Sequence, residues 1–235
     1  MEETKSTFTL SPSVSIIIAG VIIAGAVVFA SKQPAPQVAA NPQQPAAVVV
    51  DVSKVKTDGE PFIGNANAPV TMAYWYDYQC PFCQRNEQEA MPQIVKEYVD
   101  TGKVKIVFKD YQFLGPDSQT LGQFSHAVWE AVPDKFYVWH KAVYDNQGTE
   151  NTGWATHEKI MSITAGALGQ DTANKVDQLV KAKGSAYQKI MDADKAEGTS
   201  MGISGTPASI IGKQLVSGAQ PYASFQSAIE AALKK

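Results

Sequence analysis

Two cysteines stand two residues apart, Cys80-Pro81-Phe82-Cys83, where one hydrophobic rhythm gives way to another. Upstream, Val70-Thr-Met-Ala-Tyr-Trp-Tyr76 is a run of β-formers; downstream, Ala90, Met91, Ile94, Val95, Tyr98 and Val99 recur at helical spacing between Gln84 and Val99. The pattern predicts a strand running into a helix with a thiol at the junction. A thiol is a nucleophile only as thiolate, and the unpaired N–H groups and positive dipole end of a helix amino terminus stabilise that anion. Pro81 suits the first helical turn, where its missing donor costs nothing. Cys83 falls one turn on, close enough to attack a mixed disulfide formed at Cys80. The spacing thus allows a reversible ring disulfide, whose potential depends on how well the folded dithiol holds its thiolate. The same spacing also serves as half of a zinc site, and two structural cysteines would read alike. The chain holds no third cysteine, and His126, His140 and His157 are spread through its middle, so a zinc partner set is not in view.

The remainder divides into three. No charged residue occurs from Ser6 to Ser31, and Val14 to Ala30 is apolar except for Ser15, a helix of about 25 Å at ~1.5 Å per residue. Residues 1–31 therefore predict an N-terminal transmembrane helix or a signal segment. Val28-Phe29-Ala30 fits a cleavage site, but Glu2 and Glu3 beside Lys5 make a poor positive n-region and favour the uncleaved anchor. Lys5 and Lys32 are too evenly placed to orient it. Residues 32–56, with Pro34, Pro36, Pro42 and Pro45 among Ala, Gln and Val, read as an extended spacer, unless Val48-Val49-Val50 already begins an edge strand. Residues 57–235 are the domain. An apolar fraction of 44% supports a packed core there, and scattered charges summing to −3 over the whole chain argue against nucleic acid as a partner.

Within the domain, Pro92 is expected to kink the long helix near Glu89, Gly102 to end it, and Val104 to Phe108 to form a second buried strand. Gly212-Lys213 between Ala208–Ile211 and Gln214–Val216 reads as a hairpin turn, followed by a closing helix from Tyr222 to Lys234. Between about 116 and 200, Ser118–Ala131, Asp134–Asn146, His157–Leu168 and Thr172–Glu197 carry helical spacing. The fold class is α/β: a small sheet with a helical insert. Gly205-Thr206-Pro207 enters the hairpin, and a proline entering a strand signals an edge, a turn or a cis bond. A cis-proline turn would leave backbone groups of Thr206 open to an extended substrate.

Taken together, the strand, Asp77-Tyr78-Gln79-Cys80-Pro81-Phe82-Cys83, the long helix, the helical insert, Ser204-Gly205-Thr206-Pro207 and Gly218-Ala219-Gln220-Pro221-Tyr222 resemble the DsbA-like branch of the thioredoxin superfamily, above all its membrane-anchored, extracytoplasmic members. Gly64-Asn65-Ala66-Asn67-Ala68-Pro69-Val70 resembles the family's approach to its first strand, and the likeness runs from about Pro61 to Leu233. The resemblance implies a thioredoxin-like fold and a thiol:disulfide oxidoreductase with Cys80 as exposed nucleophile, Cys83 as buried resolving thiol, and Thr206 and Pro207 as the substrate-facing loop. It implies no cofactor beyond the cysteine pair and no metal, exported unfolded proteins as clients, and a quinone-linked membrane oxidase for recycling. An oxidant must work outside the reducing cytosol, which places the amino terminus inside the cell and residues 32–235 outside. A disulfide reductase or isomerase, and a non-catalytic tethered chaperone, remain as alternatives.

Two departures from that family matter. Many relatives carry an acid six positions before the first cysteine, where this chain has Tyr74; Asp77 stands as an auxiliary candidate, or as a turn residue. Strongly oxidising relatives have histidine where this chain has Phe82, which predicts a higher Cys80 pKa and a less oxidising couple than theirs. Arg85, the chain's one arginine, either adds positive potential at the thiolate or lies on a solvated helix face. Tyr111, Phe113, Leu114 and Met201 read as core or as an apolar groove, Lys109-Asp110 as a surface pair, and Trp75, Trp129, Trp139 and Trp154 as packing residues.

Overall fold

The structure is a computed structural model that describes residues 50–234. The expected anchor or signal segment and most of the expected spacer lie outside those residues. Among the described residues no helix is long and apolar enough to cross a membrane.

Five strands form one sheet in the order β1-β3-β2-β4-β5, with β1 at Phe62–Ile63, β2 at Val70–Tyr76, β3 at Val104–Asp110, β4 at Ala208–Ile211 and β5 at Gln214–Ser217. β2 is central; it runs parallel to β3 from Val70↔Val104 to Tyr76↔Asp110 and antiparallel to β4. Its side chains alternate between two cores, as the period of a strand demands. Met72, Tyr74 and Tyr76 enter the larger one, while Ala73 and Trp75 enter a smaller one with Val50, Val55, Tyr111, Ile203, Ala208 and Ile210. A strand covered on both faces reads as a continuous apolar run, and Val70–Tyr76 does.

The helix after β2 is α1, Pro81–Glu89. It breaks at Ala90, and a second segment, α2 at Met91–Ile94, widens into a π turn at Val95–Val99, so the proline at 92 interrupts the helix where its missing donor predicts. Gly102, at φ +73°, turns the chain into β3. Between β3 and β4 lie α3 (Pro116–Ala131), α4 (Phe136–Asp145), α5 (His157–Leu168) and the 31-residue α6 (Gln170–Ser200). Gly212, at φ +59°, closes the β4–β5 hairpin, and α7 spans Tyr222–Leu233.

Two sequence expectations change. Residues 50–56, read as spacer, are part of the packed unit: Val50 and Val55 are buried in the smaller core, and the Val52 amide donates to the Gly212 carbonyl at 2.8 Å. Apolar side chains at 50, 52 and 55 close the sheet face that the insert leaves open. Lys109-Asp110 is no surface pair. Lys109 is 1% exposed, and its Nζ meets Glu60 at 2.9 Å, Glu197 at 3.3 Å and Asp194, while Asp110 pairs with His126 at 2.7 Å. The charges are buried because α6 lies across the end of β3 and brings its own acids with it.

Candidate active site

β2 ends at Tyr76, and three residues carry the chain to Cys80, the residue that caps α1. Cys80 is in extended geometry (φ −71°, ψ 117°), its side chain caps no backbone donor, and Pro81 fills the first helical position. Its carbonyl accepts from the amides of Cys83 and Gln84 at 3.0 and 3.2 Å, which opens the helix on the cysteine itself. Both cysteines are free thiols and both are buried; Cys80, expected as an exposed nucleophile, is 4% exposed because the Thr206 carbonyl lies against its sulfur.

The segment 77–80 is held from below. Asp77 is fully buried, and its carboxylate accepts four hydrogen bonds: from the Gln79 amide and the Ser118 hydroxyl at one oxygen, and from the Phe113 and Leu114 amides at the other. Burial raises its pKa against those four bonds, each of which favours the charged form. The structure thus places Asp77 as the clamp between the β2–α1 loop, the chain after β3, and α3. Gln147 adds a second clamp by donating to the Tyr78 and Cys80 carbonyls, and Gln79 reaches the Leu114 carbonyl, Ser118 and the Asn151 amide.

Across from the helix mouth, the peptide Thr206–Pro207 is cis, and the Cys80 thiol donates to the Thr206 carbonyl at 3.3 Å. The two site segments that sequence could only name separately are therefore in contact. The two thiols differ sharply. The Cys80 pKa falls to about 6, first through a hydrogen bond from Cys83 and then, against the cost of burial, through the Thr206 side chain and the amides of residues 82 and 83. Cys83 is 0% exposed, and burial, reinforced by the Cys80 sulfur, pushes its thiol far above the ordinary range. One sulfur ionises near neutrality while the other keeps its proton.

The rim is apolar with one cation. Phe82 is 54% exposed, and the Arg85 guanidinium carbon lies 5.1 Å from its ring centroid. Arg85 also donates to the Ala219 carbonyl at 3.1 Å, and the Gly218 amide donates to the Pro207 carbonyl at 2.8 Å, so the loop after β5 is tied both to α1 and to the cis-proline loop. Of the four side chains left between core and groove, Phe113 is exposed, Leu114 and Met201 are half-buried, and Tyr111 is buried in the smaller core. Trp75 and Trp139 are core, with Trp129 and Trp154 packed against it. Tyr74 is fully buried under α1 and accepts from the Asn86 amide at 3.4 Å; burial above all holds it neutral. Sequence reasoning missed Glu87, one turn beyond Cys83 on the buried face of α1, and His140, whose Nε2 lies 3.3 Å from the Glu87 carboxyl. The signal available for Glu87 was its place four residues after Cys83, on the same face of the helix.

A low-pKa thiol at a helix mouth, a buried thiol one turn on, and a cis-proline loop against the first sulfur define a thiol:disulfide oxidoreductase. A family model described as thioredoxin matches residues 56–231, and the chain belongs to that family. Over 173 residues it is 25% identical to a probable disulfide bond formation protein D of Bacillus cereus, covering 74% of this chain and 78% of that one. Over 178 residues it is 26% identical to disulfide bond formation protein D of Bacillus subtilis, covering 75% and 78%. The crystal structure of oxidised BdbD from Bacillus subtilis superposes with a TM-score of 0.71 at 25% identity, over 80% of this chain and 99% of that one. The thiol-disulfide exchange protein alpha-DsbA2 of Wolbachia pipientis shares the fold at a TM-score of 0.64 and 22% identity, over 73% and 86%.

Proposed function

We propose that this chain is an extracytoplasmic dithiol oxidase that passes the Cys80–Cys83 disulfide to exported proteins. The observation that carries the direction is the Cys80 thiol, brought down to about 6 beside a thiol that burial keeps protonated. A dithiol that stabilises its own thiolate is a good leaving group, so its disulfide is readily given away. The names of the Bacillus relatives, disulfide bond formation protein D, support the same direction.

Cys80 is the sulfur that a client thiolate attacks, and Cys83 is the sulfur expelled. Thr206 and Pro207 border the incoming polypeptide, and Pro81 and Phe82 shape the approach. The centre needs no cofactor beyond the two sulfurs. The apolar stretch 14–30 tethers the domain to the membrane with the amino terminus inside, and a quinone-linked membrane oxidase reoxidises the pair. Clients are unfolded or partly folded, since the exposed Phe82 and Phe113 rim offers apolar contact.

Titration of the couple against glutathione, paired with the rate at which oxidised protein converts a reduced unfolded client, tests this reading. A potential well above the roughly −270 mV of thioredoxin is expected. A potential at or below that value overturns the oxidase direction in favour of a reductase, and client binding without disulfide transfer overturns the chemistry altogether.

A further inference from the structure

Three hydrogen bonds close a ring beside the reactive sulfur. The Cys80 thiol donates to the Thr206 carbonyl at 3.3 Å, the Gly218 amide to the Pro207 carbonyl at 2.8 Å, and Arg85 Nη2 to the Ala219 carbonyl at 3.1 Å. Cys80 caps the helix that carries Arg85, Pro207 follows Thr206, and Ala219 follows Gly218. The mouth of α1, the cis-proline loop and the loop after β5 are therefore each tied to the next, and a client that reaches Cys80 crosses them.

Arg85 is the one arginine among 20 basic residues. It stands where a lysine could not do the same work. Its guanidinium carbon lies 5.1 Å from the ring centroid of Phe82, three residues back on the outward face of α1, while a donor of the same plane holds Ala219. Stacking through a flat face while donating from the edge belongs to a guanidinium and not to a compact ammonium. The side chain is exposed, so the rest of its donor fork meets solvent. The Cys80 anion is served by other groups, first Cys83, then the Thr206 side chain and the amides of residues 83 and 82. Of the two roles that the sequence offered Arg85, positive potential at the thiolate or a solvated helix face, neither describes a cation fixed by two contacts at the rim.

The three segments of the ring, Pro81–Arg85, Ser204–Pro207 and Gly218–Pro221, contain no charged side chain besides Arg85. An approaching polypeptide thus meets apolar surface, with Phe82 exposed, and a single oriented cation. A planar fork of this kind matches a carboxylate and repels an ammonium. The spacing fits an extended client. Arg85 lies five residues beyond Cys80, about 7.5 Å along α1 at ~1.5 Å per residue. In an extended chain, side chains two residues apart point to the same side and stand about 6.6 Å apart at ~3.3 Å per residue. With the client cysteine at Cys80, a side chain two residues away comes within reach of the guanidinium.

We propose that Arg85 is a specificity-determining residue for disulfide transfer, favouring client cysteines that have an aspartate or glutamate two residues away. The proposal deepens the oxidase reading and rests on it. Arg85 acts ahead of the sulfur chemistry, by holding the client carboxylate while the client thiolate meets Cys80, and adds no step to the exchange.

The test uses the full chain in its oxidised form with unfolded dithiol peptides that differ only two residues from one cysteine, on its amino-terminal or its carboxy-terminal side, where they carry Glu, Gln or Lys. Initial rates of peptide oxidation give kcat and KM for each. Wild type is expected to favour Glu over Gln by about fivefold in kcat/KM, the upper end of what an exposed charge pair supplies, and to place Lys last, with the difference carried by KM. The preference is expected to vanish in roughly 1 M salt, which screens charges beyond about 3 Å. Arg85→Gln is expected to level the three peptides, Arg85→Lys to keep part of the order, and Arg85→Glu to reverse it, a result that a merely loosened loop cannot give. A wild type that treats the peptides alike, an Arg85→Gln variant that keeps the wild-type order, or an Arg85→Glu variant that slows all three equally overturns the role of Arg85. Oxidised wild type that passes its disulfide to none of the peptides overturns instead the oxidase reading on which the proposal rests.

Discussion

The Cys80 thiol donates to the carbonyl oxygen of Thr206 at 3.3 Å, across 126 positions of sequence. That contact sets the reactive sulfur between two fixed objects, the amino end of α1 and the loop entering β4. The amides of α1 hold the thiolate, and the loop that a client must run beside is already against the sulfur. Each segment is anchored independently of the other. Asp77 fixes the first from inside, and the antiparallel pairing of β4 with β2, from Met72↔Ile211 to Trp75↔Ala208, fixes the second. A group positioned from both sides loses little entropy on reaction.

Alkylation kinetics should therefore separate the two sulfurs. In the reduced protein, iodoacetamide labels Cys80 with a rate that rises through a midpoint near its lowered pKa of about 6, while Cys83 stays unlabelled until the protein unfolds. The linkage has a fixed sign. The folded thiol titrates near 6 and the unfolded one near 9.0, so stabilisation of the reduced protein by this group is fully present above 9 and disappears as pH falls through 6. Denaturant unfolding of reduced wild type against Cys80→Ser checks it: their difference widens with rising pH over that window.

Phe82→His tests what the residue between the cysteines contributes. Phe82 is exposed and engages Arg85 through its ring face, so it offers the Cys80 sulfur no hydrogen-bond donor. An imidazole there can donate and, when protonated, adds positive charge. Its effect is expected to lower the Cys80 pKa by about one unit, worth ~1.4 kcal/mol, and to make the couple more oxidising. Thiolate absorbance against pH, with glutathione titration, reads both.

Asp77→Asn asks whether the buried acid holds the loop. Asparagine keeps one acceptor oxygen but turns an NH2 group toward either the Phe113 and Leu114 amides or the Ser118 and Gln79 donors. Donor then faces donor in a buried site. A loss of about 2–3 kcal/mol in unfolding free energy is expected, with Cys80 alkylation retained in the folded fraction. Urea denaturation followed by tryptophan fluorescence measures it.

Much of this was legible because it is local. Val70–Tyr76 announced a two-sided strand, Pro92 the break in the helix, Gly212 the hairpin turn, and the Cys80–Cys83 spacing the chemistry. What stayed hidden depends on which elements cross in space. Lys109 ends a strand beside Asp110, and in sequence the two look like neighbours that neutralise each other at a surface. Only the passage of α6 over the end of β3 shows that Lys109 turns to Glu60, Asp194 and Glu197, and Asp110 to His126. Glu87 and His140 lie 53 positions apart and acquire a relation only when α4 packs on α1. Residues 50–56 looked like spacer because three apolar side chains among polar ones give no periodic signal, yet they cover Ala73 and Trp75.

Lys109→Met should expose the cost of that hidden cluster. Lys109 Nζ is the cation for three acids and also donates to the Lys56 carbonyl at 3.0 Å, so it ties β3 to α6 and to the segment before β1. Methionine fills most of the space but leaves buried carboxylates facing one another. Removing one partner of a buried ion pair costs about 3–5 kcal/mol, and a loss of that order is expected at neutral pH. Its pH dependence follows from Asp194, whose pKa is raised first by burial and then by Glu60, with Lys109 opposing. A carboxyl raised in the folded state contributes stability that is fully present below its unfolded value of 3.8 and is lost as pH rises through the folded one. Without Lys109 that loss grows, so the variant falls further behind wild type as pH increases and approaches it in acid. Adding Asp194→Asn to Lys109→Met removes the charge that lacks a partner and should recover part of the deficit at neutral pH. Thermal unfolding of the two variants across acid and neutral pH settles it: a deficit that does not change with pH means that the charge on Asp194 is not what Lys109 offsets.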